Sequence, residues 1–140
     1  MVKQAGPASA GPSRNEASTV NDREVLLDVL QRYFDGLYRG NADLLRGVFH
    51  PQARLFGEVK GEILLRELEP YLQLVASRLS PVDNGEAQRM KVLALQIHGA
   101  IALATVQCDL LGFNYVDQLS LLKQDGRWTI VNKLYTHLEL

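Results

Sequence analysis

Cysteine occurs once in the 140 residues, as Cys108. That excludes an internal disulfide and a multi-cysteine metal site, and it suits a reducing compartment or any setting where no bridge is needed. Cys108 lies in the apolar run Thr105-Val106-Gln107-Cys108 and reads as a buried, inert thiol. Histidine is also scarce: His50, His98 and His137 stand on separate segments without metal-ligand spacing, so no metal is expected. Neither sign of charge is in excess, with 15 Lys+Arg against 16 Asp+Glu, and no basic stripe points to nucleic acid. No apolar run is long enough to span a membrane. A serine-centred elbow, a phosphate-cradling glycine loop and internal repeats are all missing, and no cofactor is expected.

What remains is 46% hydrophobic and 22% charged, the balance of one soluble domain able to bury its own core. Residues 1–20 are rich in Ala, Gly, Pro and Ser and lack the apolar centre of a signal peptide. They read as a disordered tail ahead of a single domain over residues 21–140, with a cytoplasmic location expected. A first helix is predicted from Asn21, where Asn21 and Glu24 have capping-box spacing. Val25, Leu26, Val29, Leu30, Tyr33, Phe34, Leu37 and Tyr38 then recur at helical intervals up to Gly40. Asn41 caps a short second helix that Pro51 closes. Two short strands, 53–58 and 62–66, precede a third helix from Glu69, with Tyr71, Leu72, Val75 and Leu79 as its buried face. Pro70 is tolerable there because it falls in the first turn.

From Ala87 the pattern turns to strands: 88–97, 101–111, 114–123 and 127–138. Helices first and a run of antiparallel strands after them argue for an α+β domain. The natural solution is a strongly curved, mainly antiparallel sheet wrapped around three helices as a cone, with a cavity where the curl leaves the core unfilled.

The last strand carries Lys133, Tyr135 and His137 at alternate positions, so their side chains share one face. Such a row lines a pocket, but it equally fits a satisfied polar edge or a solvated sheet face. A three-residue turn Gln124-Asp125-Gly126 would set Asp117 opposite Lys133 and Tyr115 opposite Tyr135, on one face with Leu119 and Val131. A two-residue turn would shift every partner. In the three-residue register Trp128, Ile130 and Leu134 fall on the outer face, an apolar patch that suits a homodimer through the convex side of the sheet.

The string YFDGLYRGNADLLRGVFHPQARLFG, with DQLSLLKQDGRWTIVNKLY far downstream, resembles the nuclear transport factor 2-like superfamily. Within it the likeness is to the putative lumazine-binding or SnoaL-like group. The landmarks are Tyr33, Gly36, the corner Gly40-Asn41-Ala42-Asp43, Phe49-His50-Pro51, Asp117, Leu121-Leu122-Lys123, Asp125-Gly126, Trp128 and Lys133. The resemblance implies the cone fold, sheet-backed homodimers and a lumazine-type ligand, while the fold itself hosts both enzymes and binding proteins.

Tyr33, Phe56, Tyr71, Tyr115, Leu119 and Tyr135 are expected to line the cavity, with Asp117 and Lys133 paired inside it. His50 either caps the second helix or reaches the cavity mouth and titrates there. Asp117 is a candidate general base, but a facing Lys133 makes a structural ion pair the simpler role. Aromatic walls with one acid favour binding of a small apolar or heteroaromatic molecule. The alternatives are a cofactor-independent isomerase, cyclase or dehydratase, and a protein-interaction module working through the sheet face.

Overall fold

A computed structural model describes the backbone of residues 12–139 and the side chains of residues 21–139. The elements are α1 (Pro12–Arg39), α2 (Ala42–Val48), β1 (Phe49–Val59), β2 (Glu62–Glu67), α3 (Leu68–Ser77), β3 (Met90–His98), β4 (Ile101–Leu110), β5 (Phe113–Gln124) and β6 (Arg127–His137). The strands form one curved, unclosed sheet in the order β2-β1-β6-β5-β4-β3. Every pair is antiparallel except β1 with β6. The expected α+β cone is the fold observed. Among the described residues, no helix is long and apolar enough to cross a membrane.

α1 buries Leu26, Val29, Leu30, Tyr33, Phe34 and Leu37, one stripe at helical spacing laid into the sheet. The helix does not start at Asn21 as its capping box suggested. It begins at Pro12, a residue suited to a first turn, and nothing in 13–20 interrupts it. Of the expected tail, residues 1–11 lie outside the described residues. Asp22 is accordingly not an end charge. It is buried, and its Oδ1 accepts from Lys123 Nζ at 2.9 Å and from Trp128 Nε1 at 3.1 Å. α2 is capped by Asn41, whose side chain accepts from the Leu44 N–H. Pro51 does not end α2: the chain is already extended at Phe49, and Pro51 lies within β1. α3 buries Leu68, Tyr71, Leu72 and Val75, but Leu79 falls beyond its end and is exposed.

The β5–β6 hairpin differs from expectation in two ways that nearly cancel. Its turn is the two-residue Asp125-Gly126, with φ of 54° and 76°, so Gln124 pairs with Arg127. Two positive φ values give a turn whose twist matches the strands, and Asp-Gly is suited to it. Alone, this one-residue slip would turn every side chain of β6 to the opposite face. A bulge at Val131 then inserts one extra residue, between the pairs Leu121↔Ile130 and Ser120↔Asn132. Beyond it Leu119 faces Lys133, Asp117 faces Tyr135 and Tyr115 faces His137. The direct partners therefore differ from the three-residue register, yet Asp117, Lys133, Tyr115 and Tyr135 still share the inner face.

Before the bulge the same slip brings Trp128 and Ile130 inward. They are 3% and 0% exposed and belong to the molecule's own core, not to an outer patch. Of the three residues expected on the convex face, only Leu134 is there, at 52% exposure.

Candidate functional site

Two transverse rows of side chains build the floor of a cavity inside the cone. One runs Arg66–Leu55–Lys133–Leu119 across β2, β1, β6 and β5. The next runs Leu64–Gly57–Tyr135–Asp117 across the same strands. Gly57 is needed in that second row because a Cβ there would collide with the Tyr135 ring lying over it. The roof comes from Leu37 of α1, from Tyr71 and Leu74 of α3, and from Arg78 just past the end of α3. Cys108, Leu110 and Tyr115 close the side, and the cavity measures about 100 Å³.

Its polar end is a buried cluster. Lys133 Nζ lies 3.8 Å from Asp117 Oδ2 and donates to the Tyr71 hydroxyl oxygen at 3.0 Å. The Tyr33 hydroxyl donates to Asp117 Oδ2 at 2.7 Å, and the Cys108 thiol reaches the same oxygen at 3.5 Å. Three rings surround the ammonium, with centroids 4.7 Å (Tyr71), 5.1 Å (Tyr135) and 5.4 Å (Tyr33) from Nζ. Their faces supply cation–π attraction where water is scarce. Asp117 Oδ1, by contrast, is buried with no hydrogen-bond partner among the described residues. Orphaned buried acceptors are rare, because each forfeits its solvation without return.

These contacts set the protonation states. Burial pulls the Lys133 ammonium down, but the Asp117 charge and then Tyr71 and Cys108 outweigh it, so its pKa stands above the ordinary lysine value. Burial, followed by the Asp117 charge, pushes both the Tyr33 hydroxyl and the Cys108 thiol up. Tyr115 is raised chiefly by burial. At neutral pH Lys133 is therefore an ammonium, while Tyr33 and Cys108 keep their protons. Cys108 is buried, as its apolar neighbours suggested.

Of the expected site residues, Tyr71, Tyr115, Asp117, Lys133 and Tyr135 line the cavity. Tyr33 lies wholly buried behind it, joined through Asp117, and Leu119 packs in the core beside Lys133. Two placements need correcting. Phe56 alternates with Leu55 and Gly57 along β1, so it points to the convex face and is 41% exposed. His50 lies in a separate shallow depression with Arg46, Pro51 and Arg127, and its Nδ1 accepts from the Gln52 N–H. Asp109, on β4, is half-exposed and accepts from Arg89 at 3.2 Å.

The residues missed were Leu37, Leu64, Arg66, Leu74, Arg78, Cys108 and Leu110. Period-two spacing on β2 already tied Arg66 to Leu64. What was missing was the alignment of β2 with β1, which no local pattern reveals.

Comparisons with known proteins bear on the family and the fold. The sequence pattern of the family described as putative lumazine-binding matches residues 21–136. A nuclear transport factor 2-like protein of unknown function from Shewanella baltica OS155 superposes with a TM-score of 0.77 at 24% identity, covering 86% of this chain and 97% of its own. A nuclear transport factor 2-like protein of unknown function from Methylobacillus flagellatus KT gives a TM-score of 0.74 at 27% identity, covering 86% and 94%. Among curated proteins, the chain is 23% identical over 117 residues to Aldolase FrzH of a Cladobotryum species, covering 84% of this chain and 92% of that one.

Proposed function

We propose, from the premise that this chain belongs to the putative lumazine-binding family, that it binds a small planar molecule inside the cone through a paired donor–acceptor edge. The observation that carries this reading is the unpartnered Asp117 Oδ1, buried beside a Lys133 ammonium with a proton to spare. An ammonium has three N–H donors, and Tyr71 takes one of them. A lactam or amide edge, as in lumazine-type heterocycles, would give its N–H to Oδ1 and take a hydrogen bond from Nζ on its carbonyl oxygen. Tyr71, Tyr115 and Tyr135 supply aromatic area around it. The cavity is small, so part of such a ligand extends through the mouth. A reducing, cytoplasmic setting belongs to this reading, because an unbridged Cys108 stays a thiol there.

The test is a titration of the full chain with lumazine, followed by backbone amide resonances. Shifts centred on Tyr71, Asp117, Lys133 and Tyr135 are expected, with affinity about tenfold or more weaker in Asp117→Asn. Saturating lumazine and simple lactams at millimolar concentration without moving those resonances would defeat the proposal.

The aldolase relative favours a second reading, in which the same cluster enolises a carbonyl compound. Lys133 and Tyr71 would hydrogen-bond the developing enolate oxygen while Asp117 Oδ1 accepts the α-proton. Lys133 held as an ammonium is unsuited to imine formation, so borohydride with an aldehyde should leave no adduct on it.

The convex face supports a homodimer, with membership revised by the fold. Leu65, Phe56 and Leu134 lie side by side across β2, β1 and β6, and all three are exposed. Sedimentation at micromolar concentration is expected to give twice the chain mass. Phe56→Glu should give a folded monomer with an unchanged circular dichroism spectrum. A monomeric wild type would remove this part of the reading.

A further inference from the structure

We infer that the cavity selects ligands bearing an oxyanion, held by Arg66 of its floor and Arg78 of its roof; this rests on the ligand-binding reading above and narrows it. The other arginines with described side chains frame the contrast. Arg32, Arg46, Arg54 and Arg89 pair with carboxylates, Arg127 donates to the Gly47 carbonyl, and Arg23 and Arg39 are exposed. Arg66 and Arg78 are half-buried, line the cavity and meet no carboxylate within ion-pair distance among the described residues. Lys133 adds a third cation to the lining, and Asp117 is the only acid among the described lining residues. The protein as a whole carries a formal net charge of -1, so this concentration of positive charge is local.

Cations gathered in a concave, low-dielectric site attract anions from solution and hold them more firmly than exposed cations do. The two ends of the cavity are chemically distinct. Lys133 is compensated by Asp117 and crowded by tyrosines, which leaves it suited to a neutral carbonyl. Arg66 and Arg78 meet no compensating carboxylate among the described residues, and their forked N–H donors match the geometry of a carboxylate or phosphate. Arg66 lies in the same transverse row as Lys133, one strand beyond Leu55. A single planar molecule with an amide edge at one end and an oxyanion at the other fits both.

The experiment uses the monoamides of isophthalate and terephthalate against the corresponding neutral diamides, titrated into the full chain and read from cavity resonances. A monoamide is expected to bind about tenfold or more tightly than its diamide, an advantage that shrinks as salt is added. In Arg66→Gln/Arg78→Gln the ratio should fall to near one, while the melting temperature stays at or above the wild-type value. A parallel arm with 4-carbamoylphenyl phosphate identifies which oxyanion is preferred. Equal affinities in the wild type, or a salt-insensitive difference, would overturn the inference alone. If no amide moves the cavity resonances, the ligand-binding reading fails and takes this one with it.

Discussion

Lys133→Met is expected to lower the unfolding free energy by about 3–5 kcal/mol, because it leaves the Asp117 carboxylate buried without its cation. Asp117 is 1% exposed and Lys133 is 6% exposed, so the carboxylate stays largely desolvated once its partner is gone. Tyr33 and Cys108 still bond to Oδ2, but neither carries charge. The pair itself need not be favourable relative to hydrocarbon, since removing two ions from water offsets most of their attraction. Asp117→Leu combined with Lys133→Met should therefore recover most of the loss, and denaturant melts of the two variants would measure the recovery. The pH dependence follows from the raised ammonium. Lys133 releases its proton more readily unfolded than folded, so its contribution is complete below the ordinary lysine pKa and fades as pH climbs through the higher folded value. Wild type should lose stability on that alkaline side, and Lys133→Met should lack this component. A single variant as stable as wild type at neutral pH would mean that Asp117 is solvated or protonated.

Trp128→Ala should destabilise by about 3–5 kcal/mol without first changing the subunit count. Trp128 is a core residue, and its Nε1 donates to the same Asp22 oxygen that Lys123 reaches. Removing the indole opens a cavity between α1 and the β5–β6 hairpin and takes one donor from a buried carboxylate. Denaturant unfolding would show the midpoint fall with an unchanged slope, as expected for a lost core contact. Dissociation of a dimer into stable monomers by this substitution would instead return Trp128 to a subunit interface.

The contrast with Phe56→Glu shows where sequence reading succeeded and where it stopped. The stripe of α1, the burial of Tyr71, Leu72 and Val75 on α3, and the succession of four terminal strands were legible because each depends on local periodicity. So was the shared face of Asp117 and Lys133, though by a different route from the one the turn suggested. Trp128 and Ile130 were misassigned because a turn one residue shorter reverses the face of every residue between it and Val131. Phe56 was misplaced because its aromatic character suggested a wall, while its parity with Leu55 fixed it outside. His50 belongs to the α2–β1 junction, on a different part of the surface from the cavity mouth. Arg66 and Arg78 escaped notice because they belong to the site only through β2 pairing with β1 and α3 packing across the sheet. Nothing in their own neighbourhoods announces either fact.

The short turn and the bulge at Val131 also constrain how this hairpin tolerates length changes. Deleting Val131 would straighten β6 yet leave Asn132 opposite Ser120 and Lys133 opposite Leu119, because the residue removed is the one without a partner. Inserting one residue into the turn, with Gln124 still paired to Arg127, would likewise keep Lys133 on the inner face. An insertion among the paired residues between Arg127 and Ile130 would instead slide their successors by one, bringing Leu134 inward and turning Lys133 out to the surface. Length changes should therefore be accepted at the turn and at the bulge and resisted in the paired stretch between them.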